Sequence, residues 1–135
     1  MPTTAQIVAK KLGVTYKNNS SLTEPDLNIK LGTNYLSERL RRFDNNRILA
    51  SAAYNAGPGN VGKWLDPSMP FDVWIEIIPF SETRGYVQNV LMFSSIYSRR
   101  MNEKQPLIYP HERNYFSPQQ VTAIQELAKR QPENT

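Results

Sequence analysis

Arg47-Ile48-Leu49-Ala50-Ser51-Ala52-Ala53-Tyr54-Asn55-Ala56-Gly57-Pro58-Gly59 is the stretch on which the reading of this chain turns. From Arg47 to about Asn55 it reads as a helix, opened after the turn Asp44-Asn45-Asn46 and rich in small residues from Ala50 to Ala53. Small side chains let two backbones approach closely, so burial of this helix is the expectation. Gly57-Pro58-Gly59 then breaks the pattern, and Val61 to Leu65 reads as a short helical turn.

Working outward, helical periodicity continues almost throughout. Pro2, Thr3 and Thr4 open a first segment that puts Ile7, Val8 and Leu12 on one face, and Gly13 stops it. Tyr16 to Ser21 is polar and reads as a loop. Pro25 stands where a first helical turn tolerates proline, followed by Leu27, Leu31, Tyr35, Leu36, Leu40 and Phe43 at three- and four-residue spacing. Phe71 to Ile78 is strongly apolar between proline breaks. A lone strand without a partner is unfavourable, so a short buried helix is expected there. Ser81 is placed to cap a long helix with apolar rows Tyr86, Val90, Phe93, Tyr97 and Val87, Leu91. A linker from about Gln105 to Phe116 leads to a last helix, with Ser117, Pro118 and Gln120 as cap, first turn and capping-box partner. Val121, Ile124 and Leu127 form its apolar face. The expected fold class is all-α.

Composition bounds the function classes. Across 135 residues, 16 basic and 12 acidic side chains give a net charge of +4, with 39% hydrophobic and 21% charged residues. That is the balance of one globular domain. The excess positive charge suits an anionic partner without choosing among cell-wall polymer, nucleic acid and lipid. The basic residues are dispersed, the longest clusters being Lys10-Lys11, Arg39 with Arg41-Arg42, and Arg99-Arg100, and include no recognised base-reading motif, so a nucleic-acid binder is disfavoured. With no cysteine, thiol catalysis, disulfides and cysteine-ligated metals are excluded. His111 is the single histidine and has no partner pattern, so neither metal nor cofactor is expected. No run approaches the roughly 18 apolar residues of a membrane span, and the first residues have no signal-peptide pattern.

Two strings rise above helix patterning: Ala52-Ala53-Tyr54-Asn55-Ala56-Gly57-Pro58-Gly59, and Ile78-Pro79-Phe80-Ser81-Glu82-Thr83-Arg84-Gly85-Tyr86-Val87. Together they resemble the soluble lytic murein transglycosylases. Met1-Pro2-x-Thr4-Ala5, Asn28-Ile29-x-Leu31-Gly32, Tyr35-Leu36 and Asn46-Arg47 are similar to the same family, over about residues 1–100. The resemblance implies a goose-type, lysozyme-like helical domain for 1–100, with 101–135 as a linker and C-terminal amphipathic helix. It implies cleavage of the MurNAc–GlcNAc β-1,4 bond of peptidoglycan without hydrolysis, leaving 1,6-anhydroMurNAc ends, in the periplasm or cell envelope.

In that family the general acid/base is a glutamate followed by serine, upstream of the Met-Pro pair, with a Gly-Leu-Met-Gln string leading into it. Here the sequence begins at the Met-Pro. The expectation is therefore a domain incomplete at its N-terminus, without its catalytic glutamate and inactive alone. The upstream region of a parent protein would be its partner. The groove residues implied by the resemblance are Met1, Tyr54, Asn55, Glu82 and Tyr86. By residue chemistry alone, Tyr54 is equally readable as core, Asn55 as a helix cap and Glu82 as a charge at a helix start, where the dipole favours a carboxylate. Tyr86 stands one turn on from Glu82 and shares its face. Trp64 and Trp74 read as core more readily than as sugar-stacking rings, and Arg84 as a structural ion-pair partner. The alternative function is a peptidoglycan-binding module that does not cut. A further expectation is that the Ala50–Ala53 face is left uncovered for want of a helix to pack on it.

Overall fold

The computed structural model describes residues 2–113 and 118–130. Among the described residues seven α-helices follow one another: α1 Pro2–Leu12, α2 Pro25–Arg42, α3 Arg47–Ala56, α4 Pro58–Trp64, α5 Phe71–Ile77, α6 Ser81–Arg100 and α7 Pro118–Arg130. Among the described residues there is no strand. The all-α expectation holds, and the ambiguous segment after Pro70 is helical, as α5. None of the described helices is long and apolar enough to cross a membrane.

The chain forms two compact units, one up to Glu38 and one from Arg39 on. In the first, α1 ends at Gly13, whose φ of +63° suits a residue without a Cβ. Its buried residues are Ala5, Val8 and Ala9. Ile7, expected on the buried face, is exposed, because the inward stripe is centred on the two alanines instead. The polar stretch expected as loop contains a 3-10 turn, Asn19–Thr23, because the Asn18 side chain accepts the Ser21 N–H. Lys11 pairs with Glu38 at 3.1 Å, an exposed contact of little energetic weight.

The second unit is built around α3. Asn46 caps it, accepting the Leu49 N–H at 3.1 Å. Ile48 through Ala53 and Ala56 are buried. The small residues do permit close approach: α6, α4 and α5 all pack on α3. Ala50, Ala52 and Ala53 are fully buried, so the expected uncovered face is covered. Exposed apolar surface lies elsewhere, on Ile77, Phe80, Met92, Phe93, Ile96 and Tyr97. The core joins Phe43, Ile48, Leu49, Val61, Phe71, Trp74, Ile75, Ile78, Val87 and Leu91 to Val121 and Ile124 of α7. Trp74 is a core side chain, and its Nε1–H donates to the Trp64 carbonyl at 2.8 Å. Trp64 is half-buried against the same core, edge-to-face with Phe80.

Two expectations for α6 are corrected. Ser81 lies within the helix and Phe80 takes the cap position without a side-chain bond. Of the apolar rows, Val87 and Leu91 are buried while Phe93 and Tyr97 face solvent. A single stripe of Thr83, Val87, Leu91 and Ser98 is buried, and among the described residues nothing covers Phe93 and Tyr97. In the last helix, Val121 and Ile124 are buried as expected. Ser117 and the side chain of Leu127 lie outside the described residues.

Candidate functional site

The two strings that stood out in the sequence meet in space. α3 ends with Tyr54, Asn55 and Ala56, and Gly57, with φ +85°, turns the chain directly into α4. That backbone angle is one L side chains rarely adopt, so glycine is required there. The second string enters α6 through its first turn, Ser81-Glu82-Thr83-Arg84. Because α6 packs along α3, the end of one helix faces the beginning of the other.

Two contacts define this junction. The Thr83 hydroxyl donates to Asn55 Oδ1 at 2.7 Å. Thr83 is itself buried, so this bond is shielded from competing water. One turn further along α6, the Tyr86 ring lies parallel to Tyr54, with centroids 6.2 Å apart and planes within 3°. That is an offset stack of a kind worth about 0.5–1.5 kcal/mol beyond simple burial. Burial, and then the neighbouring Tyr54, push the Tyr86 phenol above its ordinary value. It therefore remains a protonated donor throughout the neutral range. Tyr54, Asn55 and Tyr86 are each half-buried.

Glu82 precedes the buried Thr83 and is exposed. Arg84, expected as an ion-pair partner, donates to the Glu76 carbonyl at 3.0 Å. The Glu76 carboxylate instead accepts from Gln88 at 3.1 Å. Met1 lies outside the described residues. Four of the five residues singled out by sequence are thus carried by the facing ends of α3 and α6. Thr83 was missed as their connector. Nothing in its local pattern announces a bond to a residue 28 positions away, although it sits inside the second string.

Comparison with known proteins decides the lineage. The sequence profile described as the Transglycosylase SLT domain matches residues 1–76, more than half of the chain. The chain belongs to the SLT transglycosylase family. A second profile, the soluble lytic transglycosylase helical domain, matches residues 77–106. Among members of the family, the soluble lytic murein transglycosylase of Salmonella typhimurium is 46% identical over 116 residues, covering 83% of this chain and 18% of the relative. That of Escherichia coli K12 is 45% identical over 112 residues, covering 80% of this chain and 17% of the relative.

The solved structures agree with the fold. An inactive glutamate-to-glutamine mutant of the lytic transglycosylase Slt from Pseudomonas aeruginosa superposes with a TM-score of 0.79 at 51% identity, covering 87% of this chain and 19% of that one. The 70-kDa soluble lytic transglycosylase of Escherichia coli gives a TM-score of 0.81 at 41% identity, covering 87% and 20%. The 70-kDa enzyme in complex with bulgecin A gives 0.82 at 40% identity, with the same coverage. The chain spans about a fifth of the length of each of these relatives.

Proposed function

We propose that this chain contributes a wall of the saccharide groove of a peptidoglycan lytic transglycosylase, acting in the periplasm or cell envelope. The observation that carries the reading is the meeting of the two family strings at the Thr83–Asn55 bond. That bond orients the Asn55 amide, and the stacked Tyr54 and Tyr86 rings stand at the same helix junction. With Asn55 Oδ1 engaged by Thr83, the donors left on the amide are the Nδ2 hydrogens, which suit acceptors such as sugar oxygens. Tyr54 and Tyr86 offer ring faces and hydroxyls to the same ligand.

The reaction also needs a protonated carboxyl to deliver a proton to the leaving glycosidic oxygen and then to accept one from the muramic 6-hydroxyl as it closes on the anomeric carbon. An apolar, partly buried site keeps such a carboxyl protonated. Among the described residues no glutamate has that setting. Glu24, Glu76, Glu82, Glu103 and Glu126 are exposed, Glu38 is paired with Lys11, and Glu112 is buried but held by Arg47. The acid of the reaction is therefore assigned to a segment other than these, and Glu82 to the hydrogen-bond surroundings of that acid.

Purified sacculi test this reading. The chain should be retained by sacculi and displaced by soluble glycan strands, and Tyr54→Ala or Tyr86→Ala should weaken retention. No retention of the unmutated chain sinks the proposal. Release of anhydromuropeptides by the 135-residue chain itself, detected by mass spectrometry, would instead move the acid to Glu24, Glu76 or Glu82.

A further inference from the structure

At the opposite end of α3 stands a cluster that the groove does not use. Glu112 is fully buried, in a 3-10 turn, Pro110–Glu112, of the segment that connects α6 to α7. Its Oε1 accepts the Arg47 backbone N–H at 3.1 Å and Arg47 Nε at 2.7 Å. Its Oε2 accepts Arg47 Nη2 at 2.8 Å and the Tyr109 backbone N–H at 2.8 Å. Four donors thus converge on the four lone-pair positions of one carboxylate, so both of its oxygens are saturated. The guanidinium also donates to the Leu107 carbonyl at 3.0 Å and lies 4.5 Å from the centre of the Tyr109 ring. The His111 ring also stacks on Tyr109 at 5.6 Å, with its Nε2 within 3.4 Å of the Asn45 carbonyl. Ser94 of α6 completes the surroundings, accepting from Arg47 Nη1 at 3.4 Å.

What this cluster holds is the segment from Glu103 to Arg113. Pro106, Leu107 and Pro110 are exposed, and the segment places one fully buried side chain, Glu112, in the body. Such a segment has little apolar burial to keep it in place. Beyond it, α7 covers α4 and adds Val121 and Ile124 to the core. Pinning the connection at Glu112 leaves fewer residues between the last fixed point and α7, and so reduces the entropy lost when α7 docks.

We propose that Glu112 is the latch of a C-terminal strap, which undocks as a unit and loosens α7 from α4 while the α3–α6 packing persists. Glutamine cannot replace it, because its amide NH2 would face two of the four donors. Lysine cannot replace Arg47, because it lacks the planar fork.

Native-state hydrogen exchange on the 135-residue chain, read by mass spectrometry, tests the latch. In E112Q and in R47K, the Tyr109, Glu112 and Arg113 amides should exchange at least ten-fold faster, and those of α7 faster by a smaller factor. Ala52 and Ala53 amides should not change, and trypsin should gain cuts after Lys104 and Arg113. Unaltered exchange of the strap in both variants overturns the proposal, as does equal acceleration of strap and α3. If neither variant folds, exchange of the unmutated chain across a denaturant series decides. Strap amides that open together at lower denaturant than α3 support the latch; strap amides that open only with α3 overturn it.

Discussion

The two ends of α3 solve opposite problems. At its beginning, Asn46 and Glu112 meet the helix's first N–H groups, and every donor around the Glu112 carboxylate is spoken for. At its end, the Thr83–Asn55 hydrogen bond and the Tyr54–Tyr86 ring stack hold Asn55, Tyr54 and Tyr86, which are only half-buried. A buried ion pair that is saturated by its own chain has nothing left for a ligand. Burial and saturation thus distinguish the two ends of a single helix of ten residues.

The largest effect should come from breaking the braced end. Glu112→Ala leaves the half-buried Arg47 guanidinium unpaired and one helix N–H without its acceptor. A loss of about 3–5 kcal/mol is expected, measured by denaturant unfolding. Acid should do the same reversibly. Burial alone would push the Glu112 carboxyl up, but the bonds from Arg47 and from the Tyr109 and Arg47 amides outweigh it, and its pKa lies below the ordinary value. The stabilisation is therefore complete above the unfolded-state value of about 4.3 and disappears as pH falls through the lower folded-state value. The unfolding midpoint should drop over that acid range and stay level, as far as Glu112 is concerned, at neutral pH. In E112Q this contribution to the drop should be missing.

At the other end the expected losses shrink while the consequences for binding grow. Thr83→Val removes the donor to Asn55 and should lower stability by about 1–3 kcal/mol, with weaker retention on sacculi. Tyr54→Phe keeps the stack and deletes one hydroxyl, so the melting temperature should move by only a few degrees while glycan retention falls several-fold. Equal retention would return Tyr54 to the scaffold. The smallest change in stability belongs to Glu82→Gln, about 0.3–1 kcal/mol from the lost helix-dipole interaction. In an active transglycosylase carrying this segment, the same substitution should nevertheless shift the pH–rate profile. An unshifted profile would leave Glu82 as a helix-start charge and nothing more.

Much of this was readable before any coordinates. The spacing of Leu31, Tyr35 and Phe43, the small residues of Ala50–Ala53 and the break at Gly57-Pro58 determine helices and a close-packed centre, because periodicity and side-chain size are local properties. The strings around Tyr54-Asn55 and Glu82-Thr83-Arg84 point to the family for a similar reason: each is contiguous in the chain. Which apolar residues of α6 are covered was not readable. Phe93 and Val87 look equally suited to a core, and only the position of α3 selects Val87. Nor could the sequence pair Thr83 with Asn55, or Glu112 with Arg47, 65 residues apart. A carboxylate in a proline- and tyrosine-rich connection looks like any solvated charge. It becomes a structural anchor only when tertiary packing removes water and brings four N–H groups to its two oxygens, and no one-dimensional pattern encodes that convergence.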